Sequence, residues 1–541
     1  MKEDISIVLC GRAGQGIQTI EVVLTKILKQ SGYNVFATKE YMSRVRGGVN
    51  TTSIRVSSKR VSAPVDRIDV LVPLSEGRTK HLVKRISAGT VVLEQTGKDI
   101  FSNISAVGTL CAFFGIDTNK VSELLKQRFS KKGDEVVSKN IEAMLKGYEK
   151  GKALLDSGKI SIAVKPDEKV KSEMLLSGAE ATGLGAIAGG CDFISAYPMT
   201  PSTGTFTFLA QNSHDFGIVA EQAEDEISAI NMSIGAWYAG SRAMVSTAGG
   251  GFALMAEGLS LSGMLETPTV IVLGQRPAPA TGLPTRTEQG DLNFALYSGH
   301  GEFPRIIFSP GTIEDTFMAV QKAFDLADKY QIPVIILVDQ LLMDSYNNIP
   351  AINTDGMDIK KYFVETSKDY KRYAITQDGI SPRGIPGFGS GLVVVDSDEH
   401  DEEGHITEDL ELRTKMVDKR LKKLDAIKAE AIPAELIGSK DYETLIVAWG
   451  STNPAIREAL EIINSNKIAF LYFKQVYPLP AGVLDHLNKA KNVVIIENNA
   501  TCQFGGLIKL HTGFEIKEKI LKYNGLAFSV EEIVEGIKKY G

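Results

Sequence analysis

Short apolar segments alternate with segments of helix length along most of this chain, and no other feature constrains its fold as strongly. Two of these segments, Thr269–Leu273 and Val334–Val338, are apolar on both faces, which is typical of strands covered on both sides of a parallel sheet. Strands that alternate with helices predict α/β domains built on mainly parallel sheets. At about 150 residues per domain, the 541 residues have room for three or four folding units.

The chain divides into four segments that differ in composition and pattern. Residues 1–165 predict an α/β domain that starts with the strand Ile5–Cys10, and residues 166–350 predict a second one. Residues 351–440 include a stretch rich in glycine and proline and an acidic stretch, so we expect an ordered linker or crossover without a core of its own. Residues 441–541 return to alternating strands and helices. The predicted fold class is α/β, with three α/β domains.

Composition excludes several classes of protein. The chain has ordinary globular proportions of hydrophobic and charged residues, and its net charge of −6 argues against a dedicated nucleic-acid binder. Its four cysteines lack the local spacing of a zinc or iron–sulfur module. The first residues do not resemble a signal peptide, and the apolar runs are far shorter than the ~18 residues that span a membrane. We therefore expect a cytoplasmic protein with no membrane partner and no metal site of its own.

A glycine-rich turn follows the first predicted strand, with Gly11, Gly14 and Gly16 before a helical pattern. Backbone N–H groups at such a turn can receive a phosphate. The order GxxGxG differs from the dinucleotide fingerprint, so three interpretations stay open: NAD, another phosphate-bearing ligand, or a structural turn. The basic residues that follow fit an anionic ligand, an interface or a solvated edge equally well: Arg44, Arg46 and Arg55.

The segment Tyr197–Gly204, with the sequence YPMTPSTG, is more specific. It follows a strand-like segment, at the position where open parallel sheets bind their ligands. The hydroxyl groups of Thr200 and Ser202, together with N–H groups at a helix start, suit a carboxylate or a phosphate. The alternative is an ordinary helix cap.

A group of acids precedes the charge-free helical segment Ile227–Gly240. Such a segment predicts a buried helix with Glu226 at its edge. A carboxyl group that enters a buried site has a raised pKa and can take part in proton transfer. Alternatively, Glu226 and its neighbours Glu221, Glu224 and Asp225 only stabilise the positive start of the helix.

Arg276 follows the strand Thr269–Leu273, and an arginine at the end of a strand can bind a carboxylate through two hydrogen bonds. Hydroxyl groups of Thr281 and Thr285, on the same predicted loop, would complete such a site. The alternative for Arg276 is a surface ion pair.

Two further segments carry charges whose role stays open. His400 and His405 flank three acidic residues, which suits either a metal ion or a solvated acidic loop. The charged segment Lys415–Lys428 predicts an exposed amphipathic helix or a contact with a partner.

These motifs resemble those of the fused γ–α subunit of 2-oxoacid:ferredoxin oxidoreductases, a family of thiamine-diphosphate enzymes related to pyruvate and 2-oxoglutarate synthases. GRAGQG and SRVRGG are similar to the γ domain, and YPMTPSTG, AEDEISAI and TGLPTRTEQGDL are similar to the pyrimidine-binding domain. AWGST and IIENNATCQFGG are similar to the transketolase C-terminal-like domain. The resemblance covers essentially the whole chain and implies these three α/β domains.

The resemblance implies the coenzyme A-dependent oxidative decarboxylation of a 2-oxoacid, with 2-oxoglutarate favoured over pyruvate or a broad range, to acyl-CoA, CO₂ and reduced ferredoxin. It implies that Glu226 contacts N1′ of the thiamine aminopyrimidine and activates the cofactor, which is the electron sink. The implied substrate site consists of Thr200, Arg276, Thr281, Thr285 and, for a distal carboxylate, Arg286. The implied cofactor contacts, in addition to Glu226, are Tyr197, Pro198, Ser202, Gly11, Gly14 and Gly16.

The sequence contains neither a GDG motif followed by asparagine, the usual Mg²⁺ and diphosphate ligands of this cofactor, nor clustered cysteines. The resemblance implies that a separate β subunit supplies the GDG motif, Mg²⁺ and a 4Fe-4S cluster, in an (αβ)₂ heterotetramer that reduces ferredoxin. The γ-type domain is then expected to contact coenzyme A or another subunit. Two other functions stay open: an NAD-dependent dehydrogenase, and a non-catalytic scaffold in which Thr200, Glu226 and Arg276 do not converge.

Overall fold

The computed structural model describes residues 2–12, 14–43, 48–75, 77, 79–93 and 101–540. The strands in these ranges are β1 (Asp4–Arg12), β2 (Asn34–Glu40), β3 (Val49–Ser57), β4 (Val70–Pro73), β5 (Val91–Val92), β6 (Met174–Ser177), β7 (Phe193–Ala196), β8 (Val219–Gln222), β9 (Ala243–Ala248), β10 (Thr269–Gln275), β11 (Ile306–Phe308), β12 (Pro333–Asp339), β13 (Tyr346–Ile349), β14 (Glu435–Gly438), β15 (Thr444–Trp449), β16 (Ile468–Phe473), β17 (Gln475–Tyr477), β18 (Asn492–Glu497) and β19 (Glu518–Leu521).

The α-helices are α1 (Ile17–Gln30), α2 (Lys80–Arg85), α3 (Ser102–Phe113), α4 (Thr118–Phe129), α5 (Asp134–Asp156), α6 (Gly178–Ala188), α7 (Thr203–Phe216), α8 (Glu226–Tyr238), α9 (Gly249–Leu254), α10 (Ala256–Met264), α11 (Leu292–Tyr297), α12 (Ile313–Tyr330), α13 (Gln340–Asp344), α14 (Leu410–Ala429), α15 (Asn453–Ile463), α16 (Val483–Lys489), α17 (Gln503–Thr512) and α18 (Val530–Ile537). Short 3₁₀ segments occupy Ser130–Lys132, Glu168–Ser172 and Gly450–Thr452. In the part of the chain that the structure describes, no helix has the length and apolar character needed to cross a membrane.

The chain folds into two compact units. The first comprises the residues up to Ser177 together with Asp344–Asn353 and Ser529–Glu532, and the second comprises the rest. The described residues form three sheets, one in the first unit and two in the second. This arrangement of sheets and helices confirms the α/β fold class. The four-segment division at residues 165, 350 and 440 stays a prediction.

The sheet of the first unit has the order β5-β4-β1-β3-β2-β13-β6. β1 is parallel to β4 but antiparallel to β3, and β2 is antiparallel to both β3 and β13. The prediction of a mainly parallel sheet for residues 1–165 is therefore wrong. β2 ends at Glu40 and β3 begins at Val49, and this connection is too short for the crossover of a dozen or more residues that parallel strands need.

Two short strands of this first sheet come from beyond residue 165. β6 and β13 pair with each other, and β13 also pairs with β2, although both strands fall in the segment predicted as the second domain. Each has only four residues, too few for a hydrophobic period that would indicate its partner.

The first sheet of the second unit has the order β17-β11-β12-β10-β9-β7-β8, and all its pairs are parallel except that between β11 and β17. β10 and β12 are buried at every position, as predicted. Ile271 and Leu273 of β10 pack in one core with α8, and Val270 and Val272 pack in another with α12. Because successive side chains of a strand point to opposite faces, both faces of this sheet are covered.

The other sheet of the second unit has the order β14-β16-β15-β18-β19 and contains the predicted C-terminal strands. β15 is parallel to β16 and β18, and β14 pairs antiparallel with β16 along the edge. Trp449 and Phe504 from this region share a core with residues of β10 and α8.

The segment between these two sheets includes α14, which is more buried than its charge suggests. The ammonium groups of Lys419 and Lys423 each lie 2.5 Å from a carboxylate oxygen of Glu266, and all three side chains are at most 1% exposed. The prediction of an exposed helix for Lys415–Lys428 is therefore wrong for one of its faces. The charge pattern of the helix alone does not predict that its lysines pair with a buried acid from another part of the chain.

Candidate active site

The carboxyl ends of β7, β8, β9 and β10 meet at one edge of the parallel sheet in the second unit. The loop Tyr197–Ser202 follows β7, Glu226 lies four residues after β8, Gly249 follows β9 and Arg276 follows β10. Ligands of open α/β sheets bind in the crevice outside these strand ends. Thr200, Glu226 and Arg276 thus follow strands of the same sheet edge, and their convergence in one pocket stays a prediction.

Glu226 is the first residue of α8 and is 3% exposed. Its Oε1 atom is buried and has no hydrogen-bond partner, which is rare for a buried polar atom and calls for an explanation. A methyl group built on Gly251 would lie 2.4 Å from this oxygen and 2.2 Å from Oγ1 of Thr247. Glycine at 251 therefore leaves the space that the carboxyl group of Glu226 faces.

The neighbouring acids differ from Glu226 in their surroundings. Asp225 is the N-cap of α8, where its carboxylate accepts a hydrogen bond of 2.7 Å from the backbone N–H of Ser228. Glu221 and Glu224 are exposed. Asp225 is thus the acid that caps the helix. Glu226 is the acid whose side chain is buried.

The helix itself is only partly buried, contrary to the prediction. Ile227 is 46% exposed and Met232 is 38% exposed, while Ala229, Ile230 and Ser233 are buried. The exposed face also includes Asn231 but carries no charge, whereas the outward face of a surface helix usually carries charged residues.

The loop after β7 is tied to the neighbouring strands. Nη1 of Arg276 donates a hydrogen bond of 2.8 Å to the carbonyl oxygen of Thr200. The buried hydroxyl of Ser202 donates to the carbonyl oxygen of Thr247, at 2.5 Å. A methyl group on Gly274 would lie 2.4 Å from Oγ of Ser202. Arg276 therefore holds this loop at Thr200, and Ser202 holds it against β9.

The structure locates the remaining predicted residues of this site without testing their roles. Tyr197 is 42% exposed, and Pro198 is half-buried beside it. On the loop that begins with Arg276, Thr281 is exposed, Thr285 is buried and Arg286 is half-buried. The roles assigned to all of these residues stay predictions.

A second buried acid, which was not among the predicted site residues, is Asp291, 7% exposed. Its Oδ2 atom is buried without a hydrogen-bond partner, and a methyl group on Gly249 would lie 2.8 Å from both of its carboxylate oxygens. Burial and the nearby Glu288 carboxylate raise the pKa of Asp291 to about 6, against the opposing effect of Arg276. The signal was available in the TEQGDL stretch, which the family resemblance had already singled out.

The charges of Arg276 and Asp291 affect each other's pKa. It is partly buried, and burial lowers the pKa of its guanidinium while Asp291 raises it. The group still carries its charge at neutral pH, because arginine titrates far above that range.

Residues of the C-terminal sheet hold the loop that carries Asp291. Nε2 of Gln289 donates to the carbonyl oxygen of Trp449 at 2.8 Å, and its Oε1 accepts from the backbone N–H of Asn498 at 2.9 Å. The backbone N–H of Asp291 donates to Oε1 of Gln275. A site held this way is preorganised.

The glycine-rich turn lies in the first unit and has a structural explanation. Gly16 has φ +79°, and a methyl group there would lie 2.2 Å from Nδ2 of Asn103, which donates to the carbonyl oxygen of Gln15. Gly14 has φ +85°. Whether Gly11, Gly14 and Gly16 also bind a phosphate stays a prediction.

Three basic residues, Arg44, Arg46 and Arg55, follow this turn in the sequence. Arg55 is 4% exposed and pairs with Asp4, so it is a structural residue rather than part of a solvated edge. Arg44 and Arg46 lie outside the described residues.

The two histidines give no support to a metal site. His400 is fully buried, stacks on Tyr373 with ring centroids 3.8 Å apart, and contacts the carbonyl oxygen of Asp398 through Nδ1. Among the residues that the structure describes, no group of three or more His, Cys, Asp or Glu side chains could hold a metal ion.

Comparisons with known proteins match both units. Residues 184–419 match the family described as "Pyruvate flavodoxin/ferredoxin oxidoreductase, thiamine diP-bdg". Residues 6–97 and 83–150 match "Pyruvate ferredoxin/flavodoxin oxidoreductase". The 2-oxoacid:ferredoxin oxidoreductase subunit alpha of Sulfolobus sp. is 31% identical, over 99% of this chain and 96% of its own length.

Two further relatives carry more specific names. The 2-oxoglutarate synthase subunit KorA of Methanothermobacter marburgensis is 29% identical, over 68% of this chain and 98% of its own. A solved structure of the 2-oxoglutarate:ferredoxin oxidoreductase from Magnetococcus marinus, with 2-oxoglutarate, coenzyme A and succinyl-CoA bound, superposes with a TM-score of 0.91. That chain is 30% identical, and the match covers 100% of both chains.

Proposed function

This chain belongs to the family of 2-oxoacid:ferredoxin oxidoreductase alpha subunits, and from that membership we propose that it works with a separate β subunit in the coenzyme A-dependent oxidative decarboxylation of 2-oxoglutarate. The relatives named for 2-oxoglutarate support this substrate over pyruvate. In the proposed reaction the C1–C2 bond of the 2-oxoacid breaks and releases CO₂. The acyl carbon bonds to the sulfur of coenzyme A, whose thiol loses its proton, and two electrons pass to ferredoxin.

The observation that carries this proposal is the carboxyl group of Glu226, buried with an unpartnered oxygen beside Gly251. These residues fit thiamine diphosphate, because the cofactor's aminopyrimidine needs a carboxyl partner and space next to it. When bound, thiamine diphosphate supplies the electron sink for decarboxylation. Glu226 would hold a proton at Oε1 for exchange with the pyrimidine nitrogen N1′.

Arg276 and Thr200 are proposed to hold the substrate. The Arg276 guanidinium is partly buried, and its hydrogen bond to the Thr200 carbonyl oxygen fixes its position. A carboxylate next to a carbonyl, which all 2-oxoacids share, would bind there through charge-assisted hydrogen bonds. Thr281 and Thr285 are proposed to contact the same group, and Arg286 the distal carboxylate of 2-oxoglutarate.

The β subunit is proposed to supply Mg²⁺, the diphosphate site and the iron–sulfur cluster. The alpha-subunit names of the relatives and the absence of a GDG motif from this sequence support a partner. The exposed, charge-free face of α8 next to Glu226 is a suitable surface for it. We propose an (αβ)₂ assembly in the cytoplasm.

The test is reconstitution of the chain with the β subunit encoded beside it, followed by ferredoxin reduction with 2-oxoglutarate, pyruvate and coenzyme A. We expect turnover that requires both subunits and is fastest with 2-oxoglutarate. Turnover by the isolated chain would contradict the shared site. Preference for pyruvate would contradict the substrate assignment alone.

A further inference from the structure

Two acids, Glu226 and Asp291, lie against two glycines of the same turn, Gly251 and Gly249 respectively. Methyl groups built on Gly251 and Gly249 would overlap the carboxyl groups of Glu226 and Asp291, respectively. Each acid is at least nine-tenths buried and has one oxygen without a hydrogen-bond partner. The proposed function uses Glu226 and leaves Asp291 without a role.

Helix capping does not explain Asp291. The residue precedes α11 at the N-cap position, where an aspartate side chain usually accepts a hydrogen bond from the first turn. Its side chain makes no such bond. Its carboxylate lies instead against Gly249, at the carboxyl end of β9.

The charged groups that act on Asp291 are few. Arg276, which follows β10, favours the ionised form of Asp291. Glu288, three residues before Asp291 on the same loop, favours the protonated form. The neighbours that fix its backbone, Gln275 and Gln289, are uncharged. Asp291 and a bound 2-oxoacid would thus compete as anions for one guanidinium.

We propose that Asp291 is a positioning residue of the oxoacid site: it takes up a proton when the substrate carboxylate binds Arg276, so that one positive charge faces one negative charge. This inference rests on the proposed function, because it needs a carboxylate at Arg276. Two carboxylates next to a single arginine in a buried site cannot both stay ionised without a large cost. Protonated Asp291 can also donate a hydrogen bond to the substrate, whereas the ionised form repels it.

The consequence is that substrate binding weakens as pH rises. With a pKa of about 6 in the free protein, Asp291 is mostly ionised at pH 8, and binding must then include uptake of a proton. Affinity should fall up to roughly tenfold for each pH unit above that pKa. A side chain at position 291 that stays neutral at every pH should remove this pH dependence of substrate affinity.

The experiment is titration calorimetry of the reconstituted complex with oxamate, which has a carboxylate next to a carbonyl and is not decarboxylated. Between pH 6 and pH 8 we expect the dissociation constant of the wild-type complex to rise by up to ~50-fold. Repeating the titration in buffers of different ionisation enthalpy should show net proton uptake at pH 7 to 8. Asp291→Asn should bind oxamate with little pH dependence and more tightly than wild type at pH 8.

Glu288→Gln is the second variant. It removes a like charge and keeps Asp291, so the weakening should begin at lower pH. A wild-type dissociation constant that does not change with pH, or a pH dependence that survives in Asp291→Asn, would overturn the inference. If Asp291→Asn does not assemble, an unchanged profile in Glu288→Gln overturns it instead. Because calorimetry needs no turnover, failure here is distinct from failure of the proposed activity, which the ferredoxin assay reports.

Discussion

Replacing Glu226 by glutamine tests the buried carboxyl group with little change in shape. The side chain is 3% exposed, and its Oε1 has no partner to lose. The amide keeps the packing against Gly251 but cannot share a proton with a pyrimidine nitrogen. Loss of positioned proton transfer typically lowers a rate by ~10² to 10⁴. We expect Glu226→Gln to slow both thiamine C2 proton exchange and 2-oxoacid decarboxylation by a factor in this range.

The fold of this variant should survive. An unpaired buried carboxylate costs free energy, and a neutral amide of the same size removes part of that cost. We therefore expect Glu226→Gln to assemble with the β subunit and to unfold at or slightly above the wild-type denaturant concentration. The measurement is hydrogen–deuterium exchange at the thiazolium C2 by NMR, beside urea unfolding of the same samples.

Glu224→Gln is the matched control, because Glu224 is an exposed acid two residues away in the same sequence motif. Its exchange rate should equal that of the wild type, with a stability change of ~1 kcal/mol or less. Near-native exchange in Glu226→Gln, or lost exchange in Glu224→Gln, would refute the assignment of the activating carboxyl group.

Three further experiments test other contacts of the second unit. Arg276→Ala should lower kcat/KM for 2-oxoacids by roughly tenfold to several thousandfold, because a buried carboxylate loses its partner at a cost of about 2–5 kcal/mol; normal kcat/KM would make Arg276 a surface residue. Glu266→Gln should lower the free energy of unfolding by about 3–5 kcal/mol, since two buried lysines lose their counter-charge. The control Glu402→Gln, in the exposed pair with Lys371, should lower it by ~1 kcal/mol or less. Equal effects of the two variants in urea unfolding would contradict the role of the buried pair. Gly251→Ala should abolish C2 exchange and Gly249→Ala should change mainly oxamate affinity, because their methyl groups would meet different carboxyl groups; the reverse pattern would show that the two acids have been assigned to the wrong ligands.

The sequence predicted much of the second unit because its strands are buried on both faces. The predicted strands Thr269–Leu273 and Val334–Val338 lie within β10 and β12, since a continuous apolar run is typical of a strand that is covered on both faces. The first unit was less predictable, because strand direction depends on connection length rather than on apolar pattern. The pairing of β6 and β13 depends on contacts between residues about 170 positions apart, which no local pattern encodes.

The same limit applies to charged residues. The charge-free segment after Glu226 predicted that an acid lies at the edge of a buried helix. It did not show which acid caps the helix, and the structure identifies that residue as Asp225. Asp291 belongs to the TEQGDL stretch of the quoted motif, but it follows no apolar run, and no local pattern therefore predicts its burial in the packed loop. The charge pattern of α14 predicts solvated lysines, because the acid that pairs with Lys419 and Lys423 is Glu266, more than 150 positions earlier in the chain.

Glycines at positions 249 and 251 explain how both acids can lie in this part of the fold. A side chain at Gly249 or Gly251 would occupy the space next to a carboxyl oxygen, and those oxygens would then be desolvated without any ligand to compensate. With glycine at both positions, each carboxyl group faces room in which a ligand can supply the missing hydrogen bond. Burial without a partner costs free energy, and a ligand recovers that cost when it supplies the missing hydrogen bonds. The arrangement therefore favours a ligand group with a nitrogen partner for Glu226 and an anionic acceptor beside a protonated Asp291.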